Sequence, residues 1–483
     1  MKKRTKILAT IGPSSDSLEK IEELIRAGVN VFRLNFSHGT HEYHSTVLKR
    51  IRMAIKNTGL ITGILQDISG PKVRIGVLEE DFMLRVDDIL EFVKEDIIGT
   101  KVSDAYYRLT LNQKSILDRL REGEFIYLYD GIIRSRVIEV TPEHVKVIIE
   151  NDGILSSKKG VNFPNTELGI DILTPKDKID MLWGIENNVD FMAISFVQNG
   201  KDMRNARAII AENGGKVQLF AKIEKFDAVD NIDEILKESD GIMVARGDLG
   251  IEIPYYDVPS VQKMLIKKAN NVSKPVITAT QMLLSMTKND TATRAEISDI
   301  ANAVLDGTDA VMLSEESAMG HNPVLAVQTM VNTIKGIEKH YPFNKLTEFE
   351  MHDKADKINE SAVLLCHTLD TAGILTITSS GNSAKKIARY RPEQPIYAVT
   401  HDKKTAQSLT IVWGVVPAFS VSNNNHGTIM HELMSEGINR GVLDIDSTYI
   451  LTAGDPYGVV GSTNMIRIIS RYEMEFFKGL KIH

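Results

Sequence analysis

Only one cysteine, Cys366, occurs in the 483 residues, so no internal disulfide can form and a reducing cytosol suits the chain. No apolar stretch approaches the roughly 20 residues that span a bilayer. The opening Met1-Lys-Lys-Arg-Thr-Lys6 runs straight into the strand-like Ile7-Leu-Ala-Thr-Ile11, which is too short for a secretory h-region and cleavage site. Positive charge is in deficit, with a net of −7, which removes support for non-specific nucleic-acid binding. Repeats of solenoid length and low-complexity tracts are also lacking. These absences point to a cytoplasmic protein with no membrane or nucleic-acid partner. An anionic ligand would need a local positive pocket, which draws attention to Arg33 and Lys222.

What is present is a chain 43% hydrophobic and 25% charged, long enough for two or three domains with substantial cores. Short β-rich runs alternate with segments of helical period, the pattern of a parallel sheet or barrel. Strands are expected at Lys6–Ile11, Val29–Phe36 and Ile61–Asp67, separated by helices Leu18–Ala27 and Tyr43–Asn57. From Pro71 to about Val161 the rhythm changes to short alternating runs punctuated by Asp-Gly and Glu-Gly turns, as in a small inserted β-barrel. The βα rhythm resumes at the helix Lys176–Asn187, signalled by Thr174-Pro175. Strands Val189–Val197, Val217–Glu224, Gly241–Val244, Pro275–Thr280 and Asp309–Leu313 follow. The sum is eight, the number that closes a (β/α)8 barrel. Periodicity cannot separate that barrel from an open doubly wound sheet. Polar residues at nearly every strand's C-terminal end favour the barrel.

After the helix Pro323–His340 and a polar connection, a further α/β set begins. The expected division is a barrel over 1–70 and 162–345, an inserted β-barrel over 71–161, and a C-terminal α/β domain over 346–483.

Chemistry concentrates at the strand ends. Lys222 and Glu224 lie two apart on one strand, so they share a face, and Asp248 is expected to end the next strand. A cation beside two carboxylates suits a divalent metal and an anionic substrate. Arg33, Asn35 and Ser37 also lie at period two. Asp67, Ser195, Thr278, Thr280, Gln281, Ser314 and Glu316 complete the rim, with Arg74 at the entry to the insertion. His38, His41 and His44 make a weak zinc pattern that reads better as capping or solvent exposure.

The segments Thr10-Ile-Gly-Pro13, Arg33-Leu-Asn-Phe-Ser-His-Gly39, Lys159-Gly-Val-Asn162, Lys222-Ile-Glu224, Asp240-Gly-Ile-Met-Val-Ala-Arg-Gly-Asp-Leu-Gly250, Thr278-Ala-Thr-Gln-Met282 and Asp306-Gly-Thr-Asp-Ala-Val-Met-Leu-Ser314 occur in this order. Together they resemble the pyruvate kinase family over nearly the whole chain. The resemblance implies a TIM-barrel domain, a β-barrel lid, a C-terminal regulatory domain and a homotetramer. It implies transfer of the phosphoryl group of phosphoenolpyruvate to ADP, the last step of glycolysis. Glu224 and Asp248 would bind Mg²⁺ or Mn²⁺, while Lys222 and Arg33 would meet the moving phosphoryl group. Substrate would also touch Ser195 and the backbone of Ala245, Arg246, Gly247 and Asp248. Thr280 would face the enolate as a proton relay. His38, Asn35, Arg74, Lys159 and Asp130 would contact the nucleotide or its metal.

Some positions depart from the family. Lys72 stands where potassium-dependent members carry an acid, and its ammonium would replace K⁺, although Asn35, Ser37, Asp67 and the Ile68 carbonyl remain as the usual K⁺ ligands. Potassium independence is therefore expected. Ser69 and Glu315 also depart, without a firm account beyond an outward rim position for Glu315. In the C-terminal domain, Ser379, Ser380, Gly381, Asn382 and Ser383 lead into a helix and form either a phosphate nest or a plain N-cap. By resemblance they would bind a sugar-phosphate or nucleotide effector, with Thr452, Gly454 and Gly458 completing the pocket and Asp455 working against a bisphosphate. The competing readings are a metal-dependent aldolase of pyruvate type and a catalytically silent sugar-phosphate sensor.

Overall fold

The structure, a computed structural model, describes residues 3–479 except 165, 168, 170, 347, 348, 350–352, 420–425 and 456–460. Eight parallel strands, Lys6–Thr10, Val31–Asn35, Gly63–Asp67, Phe191–Ile194, Gln218–Ile223, Gly241–Ala245, Val276–Ala279 and Ala310–Leu313, close into a barrel in sequential order. Closure is made by the first strand, which pairs with the second through Leu8–Val31 and with the eighth through Lys6–Ala310. That pairing settles barrel against open sheet. Seven of these strands are shorter than the expected runs, and the sixth runs one residue further, to Ala245.

The helices between strands are punctuated by their own residues. Thr174 caps the helix Pro175–Glu186 in a reciprocal box with Asp177, as its Thr-Pro signal predicts. Gly28, at φ 124°, ends the helix Leu18–Ala27 in a conformation costly for any side chain. Their apolar faces join one core outside the barrel, around Ile21, Leu24, Met181 and Ile266.

The insertion forms a seven-stranded curled sheet, with a two-stranded ribbon pairing Phe82–Leu84 and Gly153–Leu155. It encloses a separate core that includes Phe92, Leu109, Ile126 and Val147. Tyr129, Asp130 and Gly131 all take positive φ at the expected Asp-Gly turn. Gly153 instead begins a strand.

Among the described residues the C-terminal sheet has five strands, ordered Val415–Phe419, Ile396–Val399, Gly373–Ile377, Tyr449–Gly454 and Thr463–Ile469, with only the last pair antiparallel. The two edge strands go beyond the sequence expectation, since Pro417 weakens one signal and the other is poorly buried. The barrel lumen (Leu8, Val31, Phe191, Phe220) and this domain (Ile387, Tyr390, Leu409) share one apolar cluster. Arg391 enters the same boundary, pairing with Asp309 at 3.2 Å. No described helix is long and apolar enough to cross a membrane.

Candidate active site

The C-terminal ends of five neighbouring barrel strands converge on one ion network. Lys222 and Glu224 do share a face, and the Lys222 ammonium lies 2.8 Å from Glu224 Oε1. It also lies 3.2 Å from Asp67 Oδ1 and donates to Ser195 Oγ at 2.7 Å. The other Asp67 oxygen accepts from Arg33 Nε at 2.6 Å, and Arg33 Nη1 donates to Thr10 Oγ1 at 3.0 Å. Ser195 in turn donates to the Ile68 carbonyl at 2.6 Å. Arg33 Nη2 has no hydrogen-bond partner among the described residues. In the sequence Thr10 counts only as part of a motif; its polar side chain at a strand end is the signal that marks it as Arg33's support.

Burial shapes the electrostatics. It acts to strip the proton from Lys222, but Asp67 and Glu224 outweigh it and hold that pKa above the ordinary lysine value. Burial also opposes ionisation of Asp67, and Lys222 with Arg33 nevertheless keep its pKa below the usual aspartate value. For Glu224, burial raises the carboxyl pKa; Lys222 opposes this and the negative charge of Asp248 adds to it. The Phe196 amide donates to Glu224 Oε2 at 2.8 Å.

Asp248 requires a correction. It does not end a strand but stands in the first turn of the short helix Arg246–Glu252, because the sixth strand stops at Ala245. The neighbouring Arg246 is held by the protein itself. Its guanidinium binds Asp299 through two nitrogens, at 2.6 and 2.7 Å, and donates to the Thr280 carbonyl at 2.7 Å. The Gly247 amide donates to Thr280 Oγ1 at 2.9 Å, and that hydroxyl donates to the Ala279 carbonyl at 2.6 Å. Thr280 and Gln281 both adopt positive φ, a strained backbone that clusters at functional sites.

Glu224 and Asp248 are like-charged neighbours, one of them almost fully buried, so the pair fits a divalent cation. Among the described residues no group of three His, Cys, Asp or Glu is arranged to hold a metal.

A cleft of about 700 Å³ separates the inserted sheet from the barrel rim, with Lys72 and Asp130 on one side and Arg246, Gly247, Asp248 and Gln281 on the other. Lys72 reaches Asp130 at 3.8 Å. Arg74 donates to the Lys158 carbonyl at 2.9 Å, and Lys159 sits 3.9 Å over the Tyr129 ring. Asn35 Oδ1 accepts from the Ser37 amide at 3.1 Å, and Ser37 Oγ meets Ser69 Oγ at 3.4 Å. His38 is exposed. His41 binds Asp180 at 2.7 Å and His44 is buried, stacked on Phe36, so the expectation of capping or solvent exposure is corrected for these two.

Other rim residues are structural. Thr278 is buried against Thr308, while Glu316 accepts from the Leu283 and Ser314 amides. Glu315 is exposed, as expected.

In the C-terminal domain, Ser379, Ser380, Asn382 and Ser383 line a cavity of about 240 Å³ with Lys386 and Gly454. Gly381 takes φ 83° and donates to Thr378 Oγ1 at 2.9 Å. Thr452 does not reach this cavity. It is fully buried in mid-sheet, in register with Thr376. Gly458 lies outside the described residues.

The chain matches the family model described as "Pyruvate kinase, barrel domain" over residues 2–327 and the one described as "Pyruvate kinase, alpha/beta domain" over 356–469. A pyruvate kinase of Staphylococcus epidermidis is 41% identical over 473 residues, spanning 96% of this chain and 80% of that protein. One from Geobacillus stearothermophilus is 40% identical over 476 residues, spanning 97% and 80%. A crystal structure of a pyruvate kinase from Cryptosporidium parvum superposes with a TM-score of 0.91 at 33% identity, covering 97% of this chain and 96% of that one.

Proposed function

The chain belongs to the pyruvate kinase family and is an enzyme of that activity, and on this premise we propose how its own residues carry the reaction. The phosphorus–oxygen bond to the enolate oxygen of phosphoenolpyruvate breaks, and a terminal phosphate oxygen of ADP bonds to that phosphorus. The enolate then takes a proton at its methylene carbon to give pyruvate. Both substrates are polyanions, so charge neutralisation and alignment dominate the barrier. Lys222, kept protonated by Asp67 and Glu224, stabilises negative charge on the transferring group and the enolate oxygen. Arg33, anchored by Asp67 and Thr10, presents its remaining N–H groups to the phosphate in a fork that a lysine could not reproduce.

Glu224 and Asp248 would hold Mg²⁺ or Mn²⁺, which would supply positive charge against the negative charge of the substrates. Ser195 orients Lys222. The backbone from Ala245 to Asp248 receives the substrate carboxylate, and the Thr280 hydroxyl, turning from Ala279, relays a proton from water. A neutral threonine is a poor acid by itself. His38, Asn35, Arg74, Lys159 and Asp130 receive the nucleotide as residues 71–161 close over residues 1–70 and 162–345, excluding water that would otherwise compete for the phosphoryl group.

The single observation that carries this reading is the contact set of Lys222 with Asp67, Glu224 and Ser195 at the barrel rim. An aldolase would need no nucleotide-facing insertion, and a silent sensor would have no use for this network. Formation of ATP from phosphoenolpyruvate and ADP in a coupled assay, with and without Mg²⁺, tests it. Absence of ATP under all conditions rejects it.

The enzyme works in the cytoplasm, at the last step of glycolysis, as a homotetramer. Residues 346–483 bind a phosphorylated effector at Ser379–Ser383, where the N–H groups at the start of the helix Asn382–Arg389 favour an anion, while Lys386 at the cavity wall is held by Asp353 and Asp356. Activity is independent of K⁺. This reading is supported by Asp67, Ile68 and Asn35 already being engaged by protein partners, while Lys72 adds a fixed positive charge beside Asp130. Collapse of activity when K⁺ is exchanged for a tetraalkylammonium ion would reject it.

A further inference from the structure

Directly after Glu224 the chain carries a lysine that is almost wholly buried, its side chain only 3% exposed. Burying an ammonium costs several kcal/mol unless it is paired. Lys225 is paired: its Nζ lies 2.8 Å from Glu252 Oε2, a carboxylate 4% exposed. Glu252 closes the helix Arg246–Glu252, four residues after Asp248. Residues four apart lie on the same helical face, so the face that shows Asp248 also shows Glu252. Adjacent residues 224 and 225 thus meet residues 248 and 252 of one helix, and Lys225, Asp248 and Glu252 line a common cavity.

The other Glu252 oxygen is approached by Asn162 Nδ2 at 3.5 Å. Asn162 belongs to the strand Val161–Asn162, the last of the inserted sheet, which pairs with Phe125–Leu128. Glu252 therefore touches the barrel's fifth strand end and the insertion's returning strand at once. The same ammonium also offsets Asp227, whose carboxylate oxygens are buried without hydrogen-bond partners among the described residues. Buried ion pairs can often be replaced by apolar side chains at no loss of stability, so stability alone does not account for this one. Geometry does.

We infer that Lys225 and Glu252 are positioning residues, whose buried ion pair fixes the helix bearing Asp248 against the strand end bearing Glu224. Through Asn162 the same pair ties the insertion to the metal-binding edge. The inference rests on the reading of Glu224 and Asp248 as the holders of the divalent cation.

The test is Mn²⁺ binding to the full chain without substrates, followed by electron paramagnetic resonance and calorimetry. Lys225→Met with Glu252→Gln removes one positive and one negative charge, so the long-range pull on the cation is conserved and only positioning changes. Mn²⁺ affinity should fall at least ~10-fold, the scale seen when supporting groups behind metal ligands are lost. Asp227 loses its neighbouring cation in this variant, so the unfolding midpoint should fall, and Mn²⁺ affinity is compared under conditions where both proteins are fully folded. Wild-type Mn²⁺ affinity in the double variant overturns the inference while leaving the metal reading intact. If that variant does not fold, Lys225→Met with Glu252→Leu, also charge-conserving, gives the same readout, and unchanged affinity there overturns the inference equally. Glu224→Gln serves as the control. Should it bind Mn²⁺ as the unmodified chain does, the metal reading falls and takes this inference with it.

Discussion

Lys222 and Asp67 meet across two strands that are not neighbours, with the fourth barrel strand between them and 3.2 Å separating ammonium from carboxylate. Ser195, just beyond the end of that intervening strand, accepts from the same ammonium, so three strand ends aim one charged nitrogen. Replacing Lys222 by Met should lower turnover by at least ~10²–10³, the cost of losing one preorganised donor to the transition state. Steady-state ATP formation measures it, and near-normal turnover would remove the role assigned to Lys222.

Arg33 makes two separate protein contacts and still has an unpartnered terminal nitrogen among the described residues. A lysine has one nitrogen to distribute among the same tasks. Arg33→Lys should therefore lower kcat/KM for phosphoenolpyruvate by ~10–100-fold, the equivalent of one lost charge-assisted hydrogen bond. The dependence on ADP should move much less. Equal losses for both substrates would contradict the assignment.

Asp190 links the barrel to the C-terminal domain, accepting from the Ile64 amide at 2.9 Å and facing Lys404 at 3.7 Å. Burial pushes its pKa up to about 6, with Lys404 only partly opposing. An unfolded aspartate ionises near ~4, so between ~4 and the folded value the unfolded chain releases a proton that the folded chain keeps. Stability at this residue therefore declines as pH rises through that window and levels off above it. Asp190→Asn should gain on the unmodified chain over the same window, as read by urea midpoints in a pH series. A difference between the two proteins that does not vary with pH would exclude the effect.

Arg391 is fully buried where the C-terminal domain enters the base of the barrel. Besides Asp309 it donates to the Gly307 carbonyl at 2.6 Å and to Asn270 Oδ1 at 2.7 Å. Arg391→Leu leaves the Asp309 carboxylate buried without its cation, a defect worth ~3–5 kcal/mol. Chemical unfolding should show that loss, and adding Asp309→Asn should restore part of it. A loss within the ~1 kcal/mol typical of surface pairs would mean that this boundary does not depend on the ion pair.

Local periodicity makes much of the fold legible. Strand alternation places Lys222 beside Glu224, the Thr174-Pro175 signal places a helix start, and the change of rhythm after Pro71 marks an insertion. Three kinds of feature are less legible. Edge strands such as Thr463–Ile469 carry weak alternation because one side has no neighbour to specify it. Asp248 reads as a strand end because nothing in Val244-Ala-Arg-Gly-Asp248 marks where the strand yields to a helix with no side-chain cap. Thr452 reads as a pocket residue because it opens the run Thr452-Ala-Gly-Asp-Pro-Tyr-Gly458, which the resemblance assigns to the effector pocket. The ladder shifts register between Ala453 and Gly454, however, and the sheet buries Thr452 before that irregularity opens the edge.

The sequence by itself determined which side chains near the strand ends share a face, because side-chain direction along a strand follows from backbone geometry alone. Only the tertiary structure decided which of those ends meet. Asp67 between Arg33 and Lys222, Glu252 on Lys225, and Arg391 on Asp309 join residues 27 to 155 positions apart. Those partnerships depend on barrel closure and on the removal of water around them, which no local pattern encodes.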